Sequence, residues 1–293
     1  MTAFGIIVVD KPLGPSSHDV VERVRSGTGE SKVGHAGTLD PRASGVLVLC
    51  LGPATRLSEY LSSSTKVYEA VVRFGKATET YDSEGEPNLQ TGKVPSAGQI
   101  EEALESFRGE IVQKPPPYSA VKVKGKKAYE LAREGKPVAL EPRTVTIYTL
   151  EAHEFRPPDL SLRIECSAGT YIRSLANDLG EAVSTGAHLA ALRRVRAGPF
   201  SLADAVDLLT LESAMSDGSW RQYLHPAAVA LPDLPIIRLA EAELERIRNG
   251  LTIPSETNSH GLARALAPSG ELVAILEAVG DAQEWHPRKV FPA

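Results

Sequence analysis

The spacing of apolar and polar positions changes along the chain, and each change marks an element. Phe4 to Val9 is an unbroken apolar run that stops at Asp10-Lys11-Pro12, the pattern of a buried strand entering a turn. Ser17 is placed to cap a helix over Asp19 to Arg25, with Val20, Val21 and Val24 on one side and Gly27 and Gly29 at its end. Gly34 to Gly45 has neither helical nor strand spacing and reads as irregular. Val46 to Leu51 is a second apolar strand, and Ala54 to Leu61 a short helix. Lys66 to Phe74 alternates, with Tyr68, Ala70, Val72 and Phe74 on one face and Val67, Glu69, Val71 and Arg73 on the other.

Further along, Ile100 to Phe107 has the spacing of an amphipathic helix. Pro115-Pro116-Pro117 opens a loop, because proline fits neither a helix interior nor a central strand. Lys127 to Glu134 predicts a short helix stopped by Gly135 and Pro137. Alternation at Val145, Ile147 and Thr149, and again from Leu160 to Cys166, gives two more strands. Ile172 to Val183 is helical in pattern, and His188 to Val195 is extended and rich in arginine. Pro226, Pro232 and Pro235 mark a boundary, followed by a helix over Leu239 to Arg248 and strands at Ala263 to Ala267 and Leu272 to Ala278. With no regular βαβα order, the expected class is α+β: a mixed, largely antiparallel sheet with flanking helices, plus a small mostly-β C-terminal domain.

Composition adds limits. Cys50 and Cys166 both fall inside apolar strand-like runs, which predicts reduced core thiols. The N-terminus shows no basic region leading into an apolar stretch, and no segment approaches the roughly 18 apolar residues of a membrane span, so a cytoplasmic protein is expected. The net charge of −5 argues against a nucleic-acid partner until its distribution is considered. Residues 111–143 carry eight Lys/Arg against three Glu, whereas residues 79–110 carry eight acids against two bases. Such segregation fits one basic, RNA-facing surface on an acidic protein, and it equally fits a solvated lysine-rich loop.

Candidate chemistry concentrates between Gly34 and Gly45, where glycines, Pro41, His35 and Asp40 occur together. Glycines allow close backbone approach to a ligand, so Asp40 is either a reactive carboxylate or the cap of a glycine-rich turn. No phosphate-loop or dinucleotide fingerprint and no serine nucleophile elbow is present. Asp10, His18, His35 and Asp40 lack tight metal-ligand spacing. In Cys166-Ser167-Ala168-Gly169-Thr170-Tyr171-Ile172-Arg173 a strand gives way to a helix, placing Arg173 either to pair with a carboxylate or on the surface. His188 to Arg196 interleaves arginines with apolar residues, which suits phosphate contacts or a solvated basic face.

Taken in order, these stretches resemble the TruB family of bacterial tRNA pseudouridine-55 synthases from Gly5 to about Phe200. The resemblance is carried by Asp10-Lys11-Pro12, Lys32-Val33-Gly34-His35-Ala36-Gly37-Thr38-Leu39-Asp40-Pro41 through Ser44-Gly45-Val46-Leu47, Lys66-Val67-Tyr68, Pro116-Pro117-Tyr118-Ser119-Ala120, Ala128-Tyr129-Glu130, Gly169 to Arg173, and Gly186-Ala187-His188-Leu189 through Arg193-Arg194. It implies the pseudouridine synthase fold over residues 1–230, with a thumb loop at about 114–143 and a PUA-like RNA-binding domain over 235–293. It further implies Asp40 as the catalytic aspartate, Arg173 as its charge partner, and Tyr68 as the tyrosine stacking on the target base. Leu192 would form the apolar wall of the pocket. His35 would sit against displaced nucleotides, Tyr171 would be a second aromatic, and Lys11 would belong to the N-terminal support of the site. The implied substrate is the T-arm stem-loop of tRNA, acted on by a monomer that needs neither cofactor, metal nor guide RNA. An RNA-binding or RNA-folding module without catalysis, and a metal-dependent hydrolase, are the alternatives.

Overall fold

A computed structural model describes residues 2–119, 122–123, 126–127, 140–255, 260–279 and 284–292. The chain forms two compact units, one of Met1–Pro41, Val46–Ser62 and Pro199–Ala293, the other of Arg42–Gly45 and Ser63–Gly198.

In the first unit, the apolar N-terminal run becomes β1 (Gly5–Lys11), buried on both faces, as expected of a run without alternation. Helix α1 (Ser17–Thr28) is capped by Ser16, not Ser17. Asp19 stands three residues after Ser16, so the two close a reciprocal capping box, and the expected cap shifts by one residue. The helix passes Gly27 and ends at Gly29, whose φ of 71° is the left-handed stop. The expected irregular stretch is in part strand: β2 (Val33–His35) pairs antiparallel with β3 (Ala43–Leu51), which opens three residues earlier than the apolar run predicts. The expected helix after it is a 3-10 turn, Gly52–Leu57, followed by α2 (Ser58–Ser62).

The second unit is built on β4 (Lys66–Phe74), whose Tyr68, Ala70, Val72 and Phe74 are buried while Glu69 and Arg73 are exposed, as the alternation predicts. A short hairpin of β5 (Lys76–Thr78) and β6 (Pro87–Gln90) follows, then α3 (Ala97–Glu105) behind its own Ser96–Gln99 capping box. Strands β7 (Gly109–Gln113), β8 (Arg143–Arg156) and β9 (Asp159–Cys166) add antiparallel neighbours, β9 pairing with β4 and β8 with β7. Lys126–Lys127 pairs as a two-residue strand with Lys122–Val123; the rest of the helix expected over Lys127 to Glu134, like most of the thumb loop, lies outside the described residues. Helix α4 (Ile172–Ala182) packs on β10 (Ala187–Ala197), which runs antiparallel to β4 on one side. On the other side β10 runs parallel to the first residues of β3, pairing Leu192 with Ala43 and Arg194 with Gly45. Cys50 and Cys166 are buried free thiols, raised to about 12 and about 11 by burial.

The remainder of the first unit contains α5 (Leu208–Ser216), capped by Asp207, an element the sequence reading missed. It packs on α1 at Gly27, where a Cβ would lie 2.6 Å from the Met215 sulfur. The proline-punctuated stretch around Pro226–Pro235 is pinned by Arg264, whose guanidinium donates to the carbonyls of Leu234, Ala228 and Pro232 at 3.1, 2.6 and 3.2 Å. Beyond it, β11 (Ile236–Arg238), β12 (Leu262–Leu266), β13 (Leu272–Val279) and β14 (Glu284–Val290) form a small sheet. Helix α6 (Glu241–Arg248) closes it over Leu244, Ile247, Leu276 and Trp285. A mixed sheet system that is mostly antiparallel, flanking helices and a β-rich C-terminal part match the expected α+β class. Among the described residues no helix is long and apolar enough to cross a membrane.

At Gly45, φ is +102° and a Cβ would stand 2.1 Å from the Arg194 carbonyl oxygen, a contact only backbone displacement could relieve. Gly45→Ala is expected to cost about 2–4 kcal/mol through strain and overpacking together. An unchanged denaturation midpoint would show that the β3–β10 approach is looser than this geometry.

Candidate active site

Asp40 lies in the turn between β2 and β3, half-buried, and its backbone is held from both sides. The Ser17 hydroxyl accepts from the Leu39 N–H at 2.8 Å and donates to the Leu39 carbonyl at 2.9 Å. On the far side, the Gly14 N–H donates to the Pro41 carbonyl at 2.9 Å. The Ala36 N–H donates to Val48 at 2.9 Å, and Gly37, at φ +101°, turns the chain. These bonds fix the segment without using the Asp40 carboxylate, and Asp40 caps no helix among the described residues. His35 is half-buried at the end of β2. Lys11 is fully buried at the end of β1, its ammonium donating to the carbonyls of Pro12 and Pro15 at 2.8 and 2.9 Å.

In the second unit, Tyr68 sits on β4, 9% exposed, directly across from Arg194 of β10 and Ile164 of β9. Leu192, two residues before Arg194, is half-buried and paired with both Ala43 and Ala70. Ala43 is itself three residues beyond Asp40 in the chain. Arg194 is only 1% exposed, so the alternative of a solvated basic face does not hold at this position. Arg196 is ion-paired with Glu165. Buried beside Arg194, the Lys66 ammonium is lowered to about 8, chiefly by desolvation and then by the neighbouring guanidinium.

Tyr171 and Arg173 come from the strand-to-helix junction that opens α4. Gln113, at the end of β7, grips that junction: its amide oxygen accepts from the Tyr171 N–H at 2.7 Å and its amide nitrogen donates to the Tyr171 carbonyl at 3.0 Å. The Ser174 hydroxyl adds a bond to the Lys114 carbonyl at 2.7 Å. Arg173 is 8% exposed and donates to the carbonyls of Thr80 and Tyr118 at 3.3 and 3.1 Å, and to the Asp82 carboxylate at 3.5 Å. Asp82 is held in turn by the Thr80 hydroxyl at 2.5 Å and the Glu84 N–H at 3.0 Å. Glu84 pairs with Arg42 at 2.7 Å, an exposed pair that contributes little stability. Tyr81, just before Asp82, has φ +64°, a strained setting for a non-glycine residue, and its carbonyl accepts from the Leu189 N–H at 2.9 Å.

Asp82, Thr80, Gln113 and Ser17 were not singled out from the sequence as supporting residues. No local pattern marks the first three. Ser17 carried a signal, but it was read as a cap. No group of three or more His, Cys, Asp or Glu is placed to hold a metal ion among the described residues.

With that geometry in place, comparison with known proteins gives the class and then the family. The solved structure of an H/ACA RNP bound to a substrate RNA containing 2'-deoxyuridine superposes with a TM-score of 0.77 at 27% identity, covering 99% of this chain and 86% of that one. The fold is that of the pseudouridine synthases. A family profile described as TruB family pseudouridylate synthase, N-terminal domain, matches residues 25–172, and one described as tRNA pseudouridylate synthase B C-terminal domain matches residues 173–232. Proteins named tRNA pseudouridine synthase B are 45% identical in Solibacter usitatus, over 94% of this chain and 96% of that protein, and 44% identical in Dehalococcoides mccartyi strain CBDB1, over 98% and 96%. The chain belongs to the TruB family of pseudouridylate synthases.

Within α4, burial pushes the Asp178 carboxyl up to about 6, with Glu181 adding to the rise and Asn177 opposing it. The same acids, after burial itself, raise the Tyr81 hydroxyl. A carboxyl whose folded value lies above its unfolded 3.8 contributes stability present below about pH 4 and lost as pH rises through about 6. Asp178→Asn should therefore raise the melting temperature above pH 7, with the gain fading below pH 4. Equal melting temperatures at pH 8 would contradict the desolvation of this carboxyl.

Proposed function

We propose that this protein is a stand-alone tRNA pseudouridine synthase that isomerises the T-loop uridine at position 55. The observation carrying the reading is the Leu39–Pro41 segment, fixed on both sides of Asp40 by bonds that do not use its carboxylate. A rigid backbone presenting a carboxylate is what a reaction at one defined atom requires. The names of the relatives supply the substrate class: proteins over 40% identical along nearly the whole chain are called tRNA pseudouridine synthases.

In the proposed reaction the uridine is flipped from the T-loop into the site. The bond from C1′ to N1 breaks, the freed uracil turns, and C1′ bonds to C5, whose proton is given up while N1 gains one. Atoms balance without an oxidant, reductant or group donor, so the chemistry calls for no cofactor. Asp40 supplies the reactive carboxylate, and Arg173 keeps it ionised through its charge. Tyr68 stacks on the base and Leu192 forms the apolar wall, with His35 and Tyr171 bordering the displaced nucleotides. Lys11 supports the site through the two loop carbonyls it binds. The part from about residue 235 is proposed as a PUA-like RNA-binding domain and the basic span at about 114–143 as a thumb that closes over the T-arm. The protein works as a monomer without guide RNA.

Release of tritium from C5-labelled uridine in a tRNA transcript, with only protein and transcript present, tests the whole reading. Asp40→Asn is expected to reduce turnover by about three orders of magnitude or more while RNA binding persists; turnover at the parental rate would exclude the role of Asp40. Asp82→Asn is expected to lower kcat about 10- to 100-fold with little change in KM, because it loosens Arg173 without removing it. Losses confined to KM would instead make Asp82 part of the RNA-binding surface.

A further inference from the structure

Leu13 forms the tip of the loop between β1 and α1 and is 60% exposed. A single exposed leucine is ordinary on a protein surface. This one differs in how firmly its loop is held. The buried Lys11 ammonium ties together the carbonyls of Pro12 and Pro15, on either side of Leu13 and Gly14. The Gly14 N–H, one residue from Leu13, donates to the Pro41 carbonyl, one residue from Asp40. Gly14 takes φ +108°, and Pro12 and Pro15 restrict the backbone further. An apolar side chain is thus held in water, at a fixed place, on a loop bonded to the aspartate segment. Burial does not explain it, and the bonds that fix the loop do not involve its side chain.

We propose that Leu13 is a substrate-contacting residue, packing against an unpaired nucleotide of the RNA next to the one presented to Asp40. The inference rests on the function proposed above. A leucine carries neither charge nor hydrogen-bond donor, so it offers a phosphate oxygen nothing to bind. What RNA brings there is the apolar part of a nucleotide, a base face or the C–H edge of a ribose. A leucine matches those surfaces, and a preset position avoids the ordering cost of a flexible one.

Steady-state kinetics on a T-arm transcript decides the matter, using Leu13→Asp and Leu13→Met. Leu13→Asp is expected to raise KM about tenfold with kcat within about twofold of the parent, and Leu13→Met to keep both, because Met retains the apolar contact. Melting temperature should not change, as the side chain buries little. A KM for Leu13→Asp within about twofold of the parent would overturn the inference, and so would a fall in melting temperature, which would make Leu13 structural. Filter binding of the transcript to Asp40→Asn, with and without Leu13→Asp, separates this inference from the reading it rests on. Undiminished turnover by Asp40→Asn rejects the role of Asp40, whereas equal affinities in the pair reject the role of Leu13.

Discussion

The close approach of β3 to β10 is the constraint on which the strand register of the second unit depends. Where Gly45 passes Arg194, no side chain fits between the two backbones. That contact sets the register in which Ala43 faces Leu192 and Gly45 faces Arg194, and β4 then places Tyr68 across from Arg194. A one-residue slip would turn every side chain on these strands to the opposite face.

Buried cations are the second device, and they act mainly on backbone carbonyls. Lys11 binds Pro12 and Pro15, Arg173 binds Thr80 and Tyr118, and Arg264 binds Ala228, Pro232 and Leu234. Desolvating a charge is costly, and several neutral carbonyls offset that cost while fixing the loops that supply them. Arg173 meets the Asp82 carboxylate at 3.5 Å as well, so its partners are not carbonyls alone. The Lys66 ammonium beside Arg194 is depressed chiefly by desolvation, with the guanidinium adding to the fall. The proposed function, an ionised aspartate acting on a polyanion, is served by positive charge held in this way.

Much of this was legible in the sequence where one force dominates. Unbroken apolar runs gave β1 and the body of β3, and strict alternation gave β4 with the correct face inward. Legibility failed where partners are distant in sequence or signals compete. Ser16 and Ser17 both suit a cap; Asp19 selects Ser16, which frees Ser17 to bind Leu39. The β5–β6 hairpin has too little apolar alternation to stand out, and β14 buries Trp285 and Pro287 although proline argues against a strand. Asp40 and Arg173 were reached through family resemblance, since alone each reads as easily as a cap or a surface charge. Asp82 had no marker at all, because its importance comes from a guanidinium 91 residues away.

Of the two non-glycine residues at positive φ among the described residues, Tyr81 and Ser184, the first falls close to that guanidinium. Tyr81 holds a left-handed conformation that costs on the order of 1–3 kcal/mol, and such settings persist only where surrounding contacts over-determine them. Its carbonyl is bonded to Leu189 of β10, the Thr78 hydroxyl binds the Asp82 carbonyl, and the Asp82 carboxylate reaches Arg173. A relaxed turn at Tyr81 would release the strain and move Asp82 off the arginine. The strain is kept because β10 fixes one end of the turn and Arg173 the other, so the strand that sets the register of Tyr68 and Leu192 also helps hold the charge proposed to serve Asp40.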